Sequence, residues 1–413
     1  MAFLQHTLSN GLRIIGEYIP HYRSVSVGLW VESGSQYETP KENGISHFIE
    51  HMLFKGTEKR TARDIAEEMD AVGGQLNAFT SKECTCFYAK VVDEHLPLAM
   101  DVISDLVLHS KLDEEDIARE KGVVIEEINM AEDSPEDLAF ELLMLAHYGD
   151  QPVSRPILGT VETVSAFTQA DIRDYMKRMY CPERSVLALA GNFKWESVIE
   201  QAEKLYGEWE KSGVQKPETG TVAVPPTKLT RQKDIEQTHI CLGFPSAKIG
   251  SKDIYPLALM NSVYGGAMSS RLFQTIREER GMAYTVYSYP NSYTDTGMLA
   301  VYAGTSPEHA NEVVKLILQE TENLKVNGLN EKEFVQARDQ LLASFILGLE
   351  STSSRMNSIG RRLLIQGDTR TDDEVVEKIK SITLDEVNEV TKRVLSAPFS
   401  VAIVGNGADE VEI

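Results

Sequence analysis

A helix-and-strand segment occurs twice in this chain, about 214 residues apart. The copies span 168–192 and 383–406. Each begins with a threonine suited to cap a helix, continues with an amphipathic pattern that ends in Lys-Arg, and closes an apolar strand with Gly-Asn. The apolar pattern of 24–31 has a counterpart at 238–245 with the same offset. This internal duplication predicts two homologous domains.

The domain boundaries follow from the composition between the two copies. The chain has 413 residues, of which 42% are hydrophobic, so it can bury a large core. Residues 211–227 are rich in Gly, Pro and Thr, as is typical of an exposed linker. We therefore expect one domain at 1–210 and a second at 228–413, joined by this linker.

The segment 44–53 carries His47 and His51, with Glu50 between them. Residues four apart lie on the same face of a helix, so both imidazoles can bind one ion while Glu50 projects beside them. His-x-x-Glu-His is the inverted form of the zinc-protease motif His-Glu-x-x-His, in which the glutamate is a base and not a ligand. The alternative is an ordinary core helix, which the rarity of this motif in a chain with nine histidines disfavours.

A catalytic zinc needs three protein ligands and one open position. The pattern of 113–130 predicts a helix on which Glu120, Val124 and Glu127 form one stripe. Either glutamate alone would be assigned to a solvated face, but two on a partly apolar stripe make Glu127 a candidate third ligand. Glu126 competes with it, and spacing within the sequence does not decide between them.

Other patterns predict the elements around this helix pair. Asn10-Gly11 favours a hairpin turn, and Thr61 favours a helix start. The predicted elements are a hairpin over 7–18, a strand over 24–32, a helix over 61–72, a strand or hairpin over 75–91 and a helix over 96–110.

The charge of the chain limits its partners. The formal net charge is −22 and the pI is near 4.9. Nucleic acid is therefore disfavoured as a partner, and an acidic surface favours basic peptides. An equally good explanation is that the charge only maintains solubility.

The cysteines and the apolar runs bear on location. Cys84 and Cys86 are poorly placed to bond each other on one strand, and Cys181 and Cys241 are distant, so we expect four reduced thiols. Reduced thiols favour the cytoplasm. No apolar run is long enough to span a membrane, and no secretory signal is recognisable at the start.

Together these features resemble the pitrilysin and insulin-degrading-enzyme superfamily of zinc peptidases. Within it the chain is most similar to the short, two-domain subfamily that includes the mitochondrial processing peptidase and its bacterial relatives. The resemblance implies an α+β fold of two homologous α/β sandwich domains, each a mostly antiparallel sheet packed with helices. It also implies one zinc ion per chain, with Glu127, 76 residues after His51, as third ligand. Glu120, seven residues before Glu127, would orient the ligands through hydrogen bonds.

The resemblance also implies residues that contact the substrate. The segment 73–80 is similar to the family's active-site edge strand, on which a peptide lies as an added β-strand. On sequence alone a plain edge strand would be favoured there. Gly265 and Gly266 resemble a shorter version of a glycine loop that touches substrate, and Arg277 with Tyr284 resembles a pair that reaches towards the scissile bond. The implied contacts on the strand are Asn77, Ala78, Phe79 and Thr80.

We therefore expect a zinc endopeptidase that acts on peptides or unfolded segments, with a preference for basic residues. A homodimer is expected, with composite active sites in which Arg277 and Tyr284 act on the partner chain. Neither a nucleic acid nor a membrane is an expected partner. The alternatives are a non-catalytic scaffold or substrate-capturing subunit, and a maturase of a peptide-derived cofactor.

Overall fold

A computed structural model describes residues 3–215 and 219–413. Three residues of the expected linker, Lys216, Pro217 and Glu218, lie outside the described residues. Apart from the undescribed residues, the chain forms two compact units. The first comprises Met1–Ile128, Arg155–Thr219 and Ile346–Asp372, and the second comprises Asn129–Ser154, Gly220–Phe345 and Asp373–Ile413.

Eleven strands in the described residues form one sheet in each unit. The first sheet has the order β1-β2-β6-β3-β5-β4 and contains β1 (Leu4–Thr7), β2 (Arg13–Tyr18), β3 (Ser24–Val31), β4 (Gln75–Thr80), β5 (Thr85–Val92) and β6 (Ser185–Gly191). The second has the order β7-β11-β8-β10-β9 and contains β7 (Lys228–Arg231), β8 (Thr238–Pro245), β9 (Ala283–Ser292), β10 (Gly297–Thr305) and β11 (Ser400–Val404).

Fourteen α-helices are found in the same described residues. They are α1 (Ile45–Leu53), α2 (Ala62–Ala71), α3 (Leu96–His109), α4 (Glu114–Asp133), α5 (Pro135–Tyr148), α6 (Val161–Ala166), α7 (Gln169–Met179), α8 (Trp195–Tyr206), α9 (Ile254–Tyr264), α10 (Ala310–Asn327), α11 (Glu331–Gly348), α12 (Thr352–Gln366), α13 (Asp372–Lys380) and α14 (Leu384–Leu395). None of the helices described is long and apolar enough to cross a bilayer.

The two sheets repeat one topology. In each, a single parallel pair, β2 with β6 or β7 with β11, joins an otherwise antiparallel sheet. The repeated Gly-Asn glycines share a backbone conformation, with φ of 134° at Gly191 and 139° at Gly405. A Cβ would lie 2.3 Å from Ser24 O at the first and 2.7 Å from Gln237 O at the second, so only glycine fits either strand end. The α+β class and the duplication expected from the sequence are confirmed.

Neither compact unit is one continuous stretch of the chain. Each includes one helix from the other half of the chain. In the first unit, α12 packs on the outer face of the sheet, where Trp30 and Met356 are buried together. A Cβ on Gly360 of α12 would lie 2.4 Å from Trp30 Nε1, so the glycine permits this close approach. In the second unit, α5 covers β8 and β11 in the same way. The boundaries 1–210 and 228–413 therefore stay a prediction about the duplicated segments.

The opposite face of the first sheet supports the metal-motif helix. Phe48, Ile49 and Met52 of α1 are fully buried in the main core of this unit, and α1 packs against β4, β5 and α7. Burial of this apolar side leaves His47, Glu50 and His51 on the less buried side.

Candidate metal centre

A buried carboxylate holds the start of α1. Its N-cap is Gly44, which has no side chain and a φ of 93°. Glu38 accepts hydrogen bonds from Gly44 N at 2.7 Å, Ser46 N at 2.9 Å and Asn43 Nδ2 at 3.1 Å. It thereby satisfies free N–H groups of the first helical turn, where negative charge is also favourable. Glu38 fixes the direction from which both histidines project.

His47, His51 and Glu127 come together at one point. Glu127 Oε2 lies 3.6 Å from His47 Nε2 and 3.4 Å from His51 Nε2. Ligand atoms from all three side chains lie within 4.8 Å of one another. Elsewhere in the part of the chain that the structure describes, no other group of three His, Cys, Asp or Glu side chains is arranged in this way.

The distances between these atoms suit a zinc ion. Bonds of about 2.0–2.2 Å in a tetrahedron place neighbouring ligand atoms roughly 3.3–3.6 Å apart. The two distances from Glu127 Oε2, 3.4 and 3.6 Å, lie in this range. Two imidazoles and one carboxylate are also a usual donor set for catalytic zinc, and they leave one position open.

Glu120 and Glu126, the other two glutamates considered on α4, have different environments. Glu120 is buried, and its Oε1 lies 2.8 Å from His51 Nδ1. A proton on Nδ1 therefore leaves the lone pair of Nε2 directed away from Glu120, towards Glu127. Glu126 is exposed and points from a different side of the helix.

The surroundings of His47 keep its imidazole neutral. Burial, with a smaller contribution from the charge of His51, lowers the pKa of His47 to about 4. A neutral imidazole is the form that binds metal. Its Nδ1 is buried without a hydrogen-bond partner among the described residues, so no protein group fixes its tautomer as Glu120 does for His51.

Glu50 lies beside the three side chains and contacts β4. Burial raises the pKa of its carboxyl, and a hydrogen bond from Thr80 opposes that rise. Thr80 Oγ1 donates to Glu50 Oε2 at 2.6 Å. A partly buried carboxylate with a raised pKa is suited to accept and return a proton near neutral pH.

The strand with the four expected substrate contacts is at the edge of the first sheet. β4 pairs only with β5 in the described structure, so its other edge has no strand partner. Asn77 is exposed, and its Oδ1 accepts a hydrogen bond from Ala78 N. Phe79 packs edge-on against Trp30 on the outer face of the sheet, whereas Thr80 faces Glu50. Side chains of successive residues therefore have different roles on this strand.

Arg277 and Tyr284 form a pair within the second unit. Arg277 lies in a π-helical turn, Phe273–Glu278, with its guanidinium carbon 4.7 Å from the centre of the Phe273 ring and 4.8 Å from that of Tyr284. Tyr284, the second residue of β9, is 75% exposed. The stacking orders the arginine while the phenol remains accessible.

Of the two glycines expected to touch substrate, Gly265 contacts β9 and Gly266 contacts the end of α9. Ser288 N donates to Gly265 O at 3.1 Å, and a Cβ on Gly265 would lie 2.5 Å from Ser288 Oγ. Gly266 N donates to Asn261 O at 2.7 Å, which ends α9. This packing explains why glycine is needed at 265 without any reference to substrate.

Three contacts of the site are not predicted by the sequence patterns. No sequence motif indicates the contact of Glu38 with the start of α1. The resemblance implies that Thr80 contacts substrate, and it does not imply the hydrogen bond to Glu50. Lys55 lies four residues after His51, a spacing that could have indicated a shared partner, and its Nζ is 2.6 Å from Glu120 Oε2.

Comparisons with known proteins agree with this geometry. Residues 13–161 match the profile of insulinase, peptidase family M16, and residues 166–341 match that of the peptidase M16 inactive domain. The chain is 44% identical to YmxG of Bacillus subtilis, an uncharacterized zinc protease, over 97% of both proteins. It is 41% identical to an uncharacterized zinc protease of Streptomyces coelicolor, over 97% of this chain and 88% of the relative.

Solved structures share the fold. A protease from Helicobacter pylori has a TM-score of 0.91 at 20% identity, over 98% of this chain and 99% of that one. A Pseudomonas fluorescens structure described as a peptidase M16 inactive domain has a TM-score of 0.91 at 17% identity, over 98% of each chain. The duplicated fold, the His-x-x-Glu-His helix and these matches together show that the chain belongs to peptidase family M16, the insulinase family.

Proposed function

We propose that this protein is a zinc-dependent endopeptidase that cleaves peptides or unfolded segments. The observation that carries this proposal is the convergence of His47, His51 and Glu127, with Glu50 beside them. These three side chains would hold one zinc ion per chain. When bound, zinc supplies a Lewis acid that polarises the scissile carbonyl and activates water.

Glu50 is the proposed general base. It would take a proton from the attacking water and pass it to the leaving amine. Its hydrogen bond from Thr80 holds the carboxylate in one orientation during both transfers. Glu120 would keep His51 in the tautomer that presents Nε2 to the metal.

The exposed edge of β4 supports an extended peptide as substrate. Its free N–H and C=O groups can pair with a peptide backbone, as in β-strand addition. Side chains at 77–80 would then contact the peptide. The net charge of −22 supports a preference for Arg or Lys near the cleaved bond.

Arg277 and Tyr284 are the proposed stabilisers of the oxyanion. We propose that they act on the partner chain of a homodimer, which would carry two composite sites. A reducing compartment such as the cytoplasm is proposed on the basis of four buried cysteines without disulfides.

The test is cleavage of a mixed peptide library by the purified full chain, with and without a zinc chelator. We expect cleavage that the chelator abolishes and added zinc restores, with a preference for basic residues that weakens as salt increases. Glu50→Gln should be inactive and still retain about one zinc per chain, because the ligands are intact.

Three results would each contradict a part of the proposal. Wild-type protein that binds zinc and cleaves no peptide would instead support a non-catalytic scaffold or substrate-capturing subunit. Loss of zinc in Glu50→Gln would contradict the separation of base from ligands. A preference for basic residues that is unaffected by salt would indicate selection by shape and not by charge.

A further inference from the structure

Lys55, Glu120 and His51 form a continuous chain of charged contacts. Lys55 Nζ lies 2.6 Å from Glu120 Oε2, and Glu120 Oε1 lies 2.8 Å from His51 Nδ1. The two oxygens of one carboxylate therefore have separate partners. The far end of this chain is His51 Nε2, which faces Glu127 at 3.4 Å.

Lys55 supplies the counter-charge of the buried Glu120. The side chain of Glu120 is 5% exposed and that of Lys55 is 35% exposed. A buried carboxylate without a counter-charge is costly. Within the described residues, Lys55 is the only lysine or arginine within ion-pair distance of Glu120.

The backbone holds Lys55 in position. It follows the end of α1, and its N–H donates to Met52 O at 3.1 Å. The backbone at the end of α1 therefore places the side chains of His51 and Lys55 near each other. Both contact Glu120 of α4. The carboxylate is held between them and has little freedom to rotate away from His51 Nδ1.

We propose that Lys55 is a positioning residue of the metal centre, which holds Glu120 in the orientation that directs His51 towards the ion. This inference rests on the proposed zinc site. It assigns Lys55 no contact with metal or substrate. Its effect should reach the metal only through Glu120, so the two side chains should not act independently.

The experiment measures zinc affinity of the full-length protein by competition with a chromophoric chelator. Lys55→Met should bind zinc about 10-fold more weakly, at the lower end of the range for residues that orient ligands. Lys55→Arg should recover most of the affinity, because it keeps the charge. Lys59→Met is the matched control, since Lys59 is 61% exposed and lies 3.9 Å from Asp105, outside this chain of contacts.

A double-mutant cycle tests the route of the effect. In a Glu120→Gln background, Lys55→Met should change zinc affinity less than about 2-fold, since its partner is already altered. The absorption spectrum of bound Co²⁺ should shift in Lys55→Met and resemble wild type in Lys55→Arg and Lys59→Met. Thermal melting identifies any unfolded variant, and Lys55→Gln replaces Lys55→Met if that variant does not fold.

The outcomes separate this inference from the proposed function. Wild-type zinc affinity and an unchanged Co²⁺ spectrum in Lys55→Met would overturn the role of Lys55 and leave the zinc site intact. An undiminished effect of Lys55→Met in the Glu120→Gln background would also overturn it. Failure of the wild-type protein to bind zinc would instead overturn the proposed function.

Discussion

Thr80 donates a 2.6 Å hydrogen bond from its hydroxyl to Oε2 of Glu50. The hydroxyl of the neighbouring Thr85 lies 3.3 Å from that of Thr80 and donates to Ser33 O at 2.9 Å. Each hydroxyl has one proton. An ionised carboxylate can only accept, so the proton of Thr80 is directed to Glu50, and the edge strand is joined to the proposed base.

Removal of this donor should impair catalysis without loss of metal. Thr80→Val keeps the shape of the side chain and removes the donor. We expect kcat to fall roughly 10-fold, which corresponds to the loss of about 1–2 kcal/mol of transition-state stabilisation. Thr80→Ser keeps the donor and should stay within about 2-fold of wild type. Equal losses in both variants, in peptide-cleavage kinetics with zinc content measured alongside, would show that packing and not the hydrogen bond matters.

The identity of the third ligand can be tested with two neighbouring glutamates. Glu127→Gln should weaken zinc binding at least 10-fold, because an anionic ligand is replaced by a neutral amide. Glu126→Gln is the control, because Glu126 is exposed on another side of α4. Zinc titration of both variants measures the difference. Normal affinity in Glu127→Gln together with loss in Glu126→Gln would reverse the assignment.

Two identical substitutions in helices should have opposite effects on stability. Gly360→Ala places a methyl group 2.4 Å from Trp30 Nε1, so the close packing of α12 on the sheet should be lost at a cost of about 1–3 kcal/mol. Gly122→Ala in α4 meets nothing within 4 Å and should be neutral or stabilise by up to about 1 kcal/mol. Urea unfolding of both variants is the measurement, and similar values would refute the role of Gly360.

The composite site of the proposed dimer predicts complementation between inactive chains. Glu50→Gln and Tyr284→Phe should each be inactive alone. In an equal mixture, half of the dimers are mixed and each has one site with both wild-type halves, so about a quarter of the wild-type activity should return. Mixed dimers that form, as shown by differently tagged chains, and recover no activity would contradict action of Tyr284 on the partner.

His147 predicts a loss of stability in acid. Burial lowers its pKa to about 4, below the ordinary value of 6.5. Between these values the unfolded chain binds more protons than the folded one, so the stabilisation is complete above pH 6.5 and is lost as the pH falls towards 4. The loss is up to about 3 kcal/mol.

The comparison is urea unfolding of wild type and His147→Gln over this pH range, with chelator present to remove metal effects. The stability of wild type should fall more steeply than that of the variant. Parallel pH profiles would show that His147 does not titrate differently in the folded chain.

Features that depend on local spacing can be predicted from the amino-acid sequence. The i, i+4 positions of His47 and His51 place them on one face of any helix they form, and Thr61 identifies the start of α2 through a local capping box. The duplication is visible because both copies kept the same cap, helix and strand pattern. Gly191 and Gly405 ended matching strands for the same steric reason.

Contacts between groups that are distant in sequence depend on how the helices and strands pack. Glu126 and Glu127 are adjacent in sequence, and the orientation of α4 against α1 is what brings Glu127 to the histidines. The contacts of Thr80 with Glu50 and of Lys55 with Glu120 span different elements, so no short motif encodes them. The placement of α12 on the first sheet likewise depends on the fit of Gly360 against Trp30. Such contacts follow from packing between elements far apart in the chain, and a local sequence pattern does not predict them.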